Sequence, residues 1–174
     1  LRLAGRIQKA ECMLRRSLEI FEANAGVDNV TLAWVLSTLG ACLREAGKLE
    51  EAEAILRRGV ATHEANVGPE GVALVHALHE LGVCVRQADR QEEGERILRR
   101  CLAIKEAKLG RVDPTVALTL CELARCLQAA GRPEETEGIL RHSLAIFEAK
   151  LGREHIFVAE TLFSCGKGLL EAGQ

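Results

Sequence analysis

Histidine, cysteine and glutamate are the residues of this 174-residue sequence that could bind a metal or supply a nucleophile. His76 and His79 lie three residues apart with Glu80 beside them, and Cys121 lies 42 residues beyond His79. Zinc accepts such ligands, but a structural site needs four of them close together, and packed helices lie about 10 Å apart. Cys121 and His79 could also form a nucleophile–base pair, but no oxyanion donor or orienting Asn or Asp is evident. We therefore predict no catalytic residue, no metal and no cofactor, and we do not expect an enzyme.

Arginine pairs recur along the chain and could form a stripe that binds nucleic acid. Glu11, however, stands four residues before Arg15, and this spacing recurs before each later pair, as in the solvated face of a helix. The net charge is −2 and aromatic residues make up only 3%, so a positive field and stacking platforms are both missing. No apolar run approaches the roughly 20 residues of a membrane span. We expect neither nucleic acid nor a membrane as a partner.

The cysteine content indicates the cellular setting. The chain has seven cysteines, an odd number, and none of them forms a CxxC pair. This usage favours a reduced, cytoplasmic protein over a disulfide-stabilised one.

A repeat of 42 residues must position these side chains. The same Ala-Gly-Arg-like segment is centred on Gly5, Gly47, Asp89, Gly131 and Gly173, so that each lies 42 residues after the one before. Each repeat carries two apolar stripes with helical spacing, which predict a helix A and then a helix B. Glycine follows both helices, as a residue in the left-handed αL conformation would, and Asp89 is a tolerated substitute.

Other signals mark where helices begin. Asn29 and Asp113 stand at N-cap positions of A helices, and Pro114 and Pro133 stand at first helical positions. We predict an all-α fold of eight helices in one domain over 1–174. Its parts are helix B 5–25, the repeats 29–67, 71–109 and 113–151, and helix A 155–172. Because it begins and ends within a pair, we expect a segment of a longer array, able to associate end to end through uncapped termini.

When the 42-residue repeats are aligned, equivalent positions form columns, and the columns that hardly change carry a family resemblance. The chain resembles the tetratricopeptide repeat family at Leu36, Leu39, Gly40, Leu43, Ala52, Leu56 and Gly59, and at the same positions of later repeats. Repeats of 42 rather than about 34 residues resemble kinesin-light-chain and nephrocystin arrays, and arrays of NB-ARC receptor-like proteins. The resemblance implies a right-handed superhelical solenoid of antiparallel helix pairs that binds proteins or peptides in a concave groove lined by A helices. It also implies a role as the ligand-sensing part of an NB-ARC receptor-like protein. The alternatives are a kinesin-light-chain-like cargo adaptor or a self-assembling structural array, and a metal- or cysteine-dependent enzyme is a remote one.

Four columns of helix A change residue type from repeat to repeat, whereas most columns hardly change. They lie at i, i+3, i+4 and i+7 and therefore share one face. We call this set the variable face and predict that it binds the ligand; neutral drift on an exposed face is the alternative. Its members are Trp34, Ser37, Thr38, Ala41, His76, His79, Glu80, Val83, Leu118, Cys121, Glu122, Arg125, Glu160, Phe163, Ser164 and Lys167. We expect a ligand with an apolar anchor near Trp34 and an acidic group near Arg125 and Lys167.

Overall fold

A computed structural model describes residues 2–24, 29–71 and 74–172 of the chain. The described residues form eight α-helices, so the predicted all-α class is confirmed. Their bounds are α1 (Arg2–Ala23), α2 (Asn29–Glu45), α3 (Leu49–Val67), α4 (Leu74–Gln87), α5 (Gln91–Leu109), α6 (Pro114–Ala129), α7 (Pro133–Leu151) and α8 (Ile156–Ala172). The even-numbered helices are the A helices of the repeat and the odd-numbered ones the B helices. None of the described helices is both long and apolar enough to span a bilayer.

The starts of α6 and α7 follow the predicted local rules. The Asp113 side chain accepts a hydrogen bond of 2.8 Å from the Thr115 N–H and thereby caps α6, whose first residue is Pro114. Pro133 likewise begins α7. The side chain of Asn29, the other predicted cap, lies outside the described part. α1 differs from expectation, because it begins at Arg2 and passes through Gly5 without a turn, a conformation that glycine permits.

The two turn columns have different backbone conformations. Asp89, which ends an A helix, has a φ of 59°, as expected for the αL region. After the B helices, Gly68, Gly110 and Gly152 have φ values of 80°, 87° and 88° but ψ values of 172°, 154° and 156°. The prediction of αL was therefore wrong for this second column, which occupies a region essentially restricted to glycine. This explains why aspartate replaces glycine only in the first column; Gly26 lies outside the described residues.

The helices fall into two compact halves of the chain, 1–89 and 90–174. We call these halves the first and the second unit, and the 42-residue segments the repeats. In the first unit, α2 and α3 pack closely, because a Cβ on Gly40 would come within 2.4 Å of Leu56 Cγ. Leu36, Leu39 and Leu43 are fully buried beside this contact. In the second unit, one buried cluster joins α6, α7 and α8. It comprises Val116, Ala117, Leu120, Ile146, Phe147 and Val158.

The predicted Glu–Arg pairs form on all four B helices. Their shortest N–O distances are 2.9 Å for Glu11–Arg15, 2.8 Å for Glu53–Arg57, 2.8 Å for Glu95–Arg99 and 2.7 Å for Glu137–Arg141. Two of them also join successive B helices. Lys48 binds Glu11 at 2.7 Å, and Arg132 binds Glu95 at 2.8 Å. Since the arginines of these pairs remain more than one third exposed, each pair contributes only about 0–1 kcal/mol. The contacts of Lys48 and Arg132 help to align successive B helices.

Candidate functional site

In the first unit, the variable face is built around an aromatic cluster. The Trp34 indole of α2 stacks on the His76 imidazole of α4 with a centroid distance of 5.6 Å and an interplanar angle of 21°. The same indole meets the His63 imidazole of α3 edge-on at 5.9 Å and 89°. Trp34 remains 43% exposed, whereas His63 is completely buried. The cluster thus presents an aromatic surface to solvent above a hidden imidazole.

The other predicted residues of this unit divide into exposed and buried ones. Thr38 is exposed, and Ala41, His79 and Glu80 are half-buried. Ser37 and Val83, in contrast, are buried and are not available to a ligand. Ser37 is buried because α3 comes close at Gly59, where an added Cβ would lie 3.2 Å from the Ser37 hydroxyl. Its hydroxyl donates to the Ala33 carbonyl over 2.8 Å.

A partly buried ion pair joins the two A helices of the first unit. Arg44 Nε of α2 lies 3.1 Å from Glu80 Oε2 of α4, and both side chains are less than one fifth exposed. The Glu80 carboxylate is therefore already engaged. A partner of this unit would meet Trp34 and Thr38 before it meets a free charge.

In the second unit, five predicted residues surround one open cavity of about 560 Å³. They are Arg125, Glu160, Phe163, Ser164 and Lys167, and the cavity is completed by Gln128 and Ala159. Phe163 is 74% exposed, an unusual state for a large apolar side chain. The cavity combines an apolar ring with the cationic groups of Arg125 and Lys167.

The remaining predicted residues of this unit are half-buried. Glu122 accepts a hydrogen bond of 2.8 Å from Arg125, which leaves the guanidinium half exposed. Leu118 and Cys121 pack against the core cluster of α6, α7 and α8. The Cys121 sulfur lies 3.1 Å from the Ser143 hydroxyl of α7, so this column leans against helix B as Ser37 does in the first unit. Ser37 and Cys121 therefore lie at the edge of the variable face in their repeats, whereas Phe163, in the same column, is exposed.

A buried column of helix B was missed by the sequence reasoning. It consists of Phe21, His63, Lys105 and Phe147, and the last three are almost fully buried. This column shows that residue type can change from repeat to repeat at a buried position as well as at an exposed one. The signal was present in the sequence, because His63 lies four and seven residues after Gly59 and Leu56 on the apolar stripe.

The structure gives the spacing of the candidate metal ligands and the burial of three of the thiols. Among residues 2–24, 29–71 and 74–172, no three His, Cys, Asp or Glu side chains come close enough to hold a metal ion. Burial raises the pKa of Cys101 to about 11, and burial also raises the pKa of Cys42 and of Cys165. A thiol with a raised pKa is a poor nucleophile at neutral pH.

The sequence also matches a model of a known protein family over most of its length. The model of the tetratricopeptide repeat matches residues 1–65, 31–107 and 115–174. The chain belongs to the tetratricopeptide repeat family. Tetratricopeptide arrays are typically non-catalytic scaffolds of protein–protein interaction. Among curated proteins, none matches the chain.

Solved structures show the same fold at low sequence identity. BtubC (BKLC) from P. vanneervenii superposes with a TM-score of 0.88 at 18% identity, over 99% of this chain and 68% of the other. A Podosopora anserina protein assigned as a kinesin light chain, with nearly identical TPR-like repeats, gives 0.81 at 23% identity, over 98% of this chain and 81% of the other. At these identities, the likeness shows that the tetratricopeptide array has the kinesin-light-chain type of fold.

Proposed function

We propose that this tetratricopeptide array binds a protein or peptide partner through the variable face of its A helices. The observation that carries the proposal is the cavity in the second unit, where five residues chosen only for their variability line one open space. Exposed aromatic side chains support it in both units, because Trp34 and Phe163 would gain by burial against a partner.

The chemistry of the cavity favours an acidic ligand with an apolar group. Lys167 and Arg125 supply positive charge, and Phe163 supplies an apolar contact. Glu160 lies beside them and disfavours a ligand that carries only negative charge. In the first unit, the exposed part of Trp34 would receive a second apolar anchor.

The wider role is also a proposal. We propose that the array acts in the cytoplasm as the ligand-sensing part of an NB-ARC receptor-like protein, with a kinesin-light-chain-like cargo adaptor as the alternative. The seven cysteines are free thiols, as expected in a reducing compartment. A nucleotide-binding domain or a heptad segment upstream in the gene would separate these two parents.

Selection of displayed random peptides on the 174-residue chain, followed by calorimetric titration, tests the binding proposal. We expect acidic peptides with an aromatic or aliphatic residue. Phe163→Ala and Lys167→Glu should each weaken binding at least tenfold, about 1.4 kcal/mol, as for contacts at the centre of an interface. The matched control is Arg141→Glu, the same charge reversal on the exposed side of α7.

The outcome of these titrations separates the binding face from the rest of the surface. Peptides that bind the Lys167→Glu variant as tightly as the wild type would rule out the variable face of the second unit. Equal weakening by Arg141→Glu would mean that net charge, and not the cavity, attracts the peptide. Full affinity in a chain with Trp34→Ala and Arg125→Glu would refute the proposal for both units.

A second candidate function, end-to-end self-association, is favoured by another cavity. It encloses about 430 Å³ in the second unit, and Leu140, Cys165, Gly168 and Leu169 are among its lining residues. Each of these four residues lies 42 positions after one member of a buried cluster. The members of that cluster are Leu98, Leu123, Cys126 and Leu127, and Ile139 packs against it. Three periods before Ile139 stands Met13, whose side chain is 74% exposed on α1. Met13 occupies the same repeat position as Ile139, so Met13 of a second copy would pack into this cavity as Ile139 packs against the buried cluster.

Sedimentation velocity over a concentration series tests this candidate. Association that Met13→Asp abolishes, and that the matched apolar-to-acidic change Val112→Asp leaves intact, would support it. Val112 is a suitable control because it is exposed in the turn between α5 and α6. A chain that is monomeric at every concentration would eliminate it.

A further inference from the structure

His63 is the feature of the first unit that its fold leaves unexplained. Its side chain is completely buried in α3. Of the described residues, none forms a hydrogen bond with either of its ring nitrogens. A buried polar group without a partner costs about 1–3 kcal/mol, so such a residue in a core normally has a function beyond packing.

The same column of the second unit shows how a buried polar residue is normally accommodated. Lys105 stands 42 positions after His63 and is also nearly buried. Its ammonium donates to the Thr119 hydroxyl over 2.7 Å and to the Thr115 carbonyl over 2.9 Å. The position equivalent to Thr119 beneath His63 is Ala77, which has no hydroxyl. The first unit thus lacks the side-chain hydroxyl that accepts a hydrogen bond from Lys105 in the second unit.

The groups around His63 also disfavour its protonated form. α2 contributes the uncharged Trp34 ring, and α4 contributes His76, on which that ring stacks. Burial lowers the pKa of His63, and the charge of His76 lowers it further. On the same face, Glu80 of α4 is bound to Arg44 of α2, and the half-buried His79 adds a second imidazole. No carboxylate of the described residues is therefore placed to neutralise a protonated His63.

We propose that His63 is a positioning residue for the variable face, and that its protonation opens the Trp34–His76 stack and so releases the partner. With a neutral imidazole, His63 packs against the edge of the indole and holds it on His76. With a charged imidazole, both ring N–H groups would be buried without a hydrogen-bond partner among the described residues, and the ring must move toward water, which displaces Trp34. The consequence for binding rests on the proposed function, whereas the movement of Trp34 does not.

The direction of the pH effect follows from proton linkage. Because the closed stack binds the proton more weakly than the open one, it is fully favoured above the ordinary histidine value of about 6.5. As the pH falls below that value, the ratio of open to closed stack rises by up to about tenfold per pH unit, until the closed stack itself becomes protonated. The face is therefore closed at neutral pH and opens in mild acid.

Trp34 is the only tryptophan of the chain, so its fluorescence reports the stack without any ligand. We expect a red shift and a change in intensity as the pH falls below about 6.5, before far-UV circular dichroism shows any loss of helix. His63→Phe should abolish this transition. Phenylalanine occupies the same column at Phe21 and Phe147, so that the replacement suits the site. The control His142→Gln should leave the transition unchanged, because His142 is exposed on α7, in the second unit.

Imidazole NMR on the wild-type chain gives a second test that does not depend on folding of a variant. A His63 ring that titrates near the ordinary histidine value, with Trp34 unmoved, would overturn the inference. So would a fluorescence transition that survives His63→Phe but disappears with His76→Gln. A peptide that binds elsewhere would refute the proposed function and would leave both ligand-free measurements unchanged, so the two failures are distinguishable.

Discussion

The hydrogen bond between Lys105 and Thr119 gives the sharpest stability prediction. Thr119→Val keeps the shape of the side chain but removes an acceptor from a nearly buried ammonium. A hydrogen bond to a charged group contributes about 1.5–3 kcal/mol, so we expect the free energy of unfolding to fall by about 2 kcal/mol. Lys105→Met removes the charge at similar volume. Because a buried charge is costly to desolvate, this change should leave stability within about 1 kcal/mol of the wild type or raise it.

A double-mutant cycle measured by urea unfolding checks this reasoning. In the Lys105→Met background, Thr119→Val should cost almost nothing, so the coupling energy should be about 2 kcal/mol. Amide exchange in α5 and α6 should report the same change locally, because repeat arrays need not unfold in one step. If Thr119→Val costs the same in both backgrounds, the threonine acts through its bond to the Thr115 carbonyl. The account of a supported buried cation would then be wrong.

Three further predictions follow from local structure. Gly110→Asn should lower the free energy of unfolding by about 1–3 kcal/mol, and by clearly more than Gly131→Asn does. Only Gly110 has the backbone conformation that is restricted to glycine. Equal losses of the two variants in urea unfolding would contradict this. At about pH 8, a thiol reagent followed by mass spectrometry should label the exposed Cys12 quickly and the buried Cys101, whose pKa is raised to about 11, only after unfolding. Asp113→Ala should cost about 1 kcal/mol at neutral pH. The Thr115 hydroxyl holds the pKa of Asp113 below its usual value. The cap therefore stabilises the protein above about pH 4, and this stabilisation is lost as the pH falls through the lowered pKa. A difference in melting temperature between the variant and the wild type that stays constant from pH 7 to about pH 2 would refute this.

Much of the fold could be predicted because it depends on contacts that repeat. The helices and the Glu–Arg pairs follow from spacing along one chain, and the αL residue Asp89 follows from its place in a column. The second glycine column was misassigned, because the sequence records that glycine is required but not which glycine-only conformation requires it. Its ψ values of 154–172° emerge only from the path between α3 and α4 and its counterparts.

The site was less predictable, because helical spacing alone cannot separate the edge of a face from its centre. Ser37 shares a face with Trp34 on a helical wheel, but the absence of a side chain at Gly59 lets α3 cover it. His63 was missed because it lies on the apolar stripe of a B helix, outside the four variable columns of the A helices. Its importance depends on Trp34 and Ala77 of two other helices, and no single-helix pattern contains that information.

The stack of Trp34 on His76 joins residues of adjacent repeats, and this affects how such an array can evolve. Similar 42-residue repeats in one register invite unequal recombination, which deletes, duplicates or reorders whole repeats. If one repeat were deleted so that Leu118 followed Trp34, the indole would lose its imidazole neighbour, although no position had mutated. The binding surface therefore depends on the order of the repeats as well as on their residues. Rearranging a few repeats brings different side chains next to each other and so produces many different surfaces.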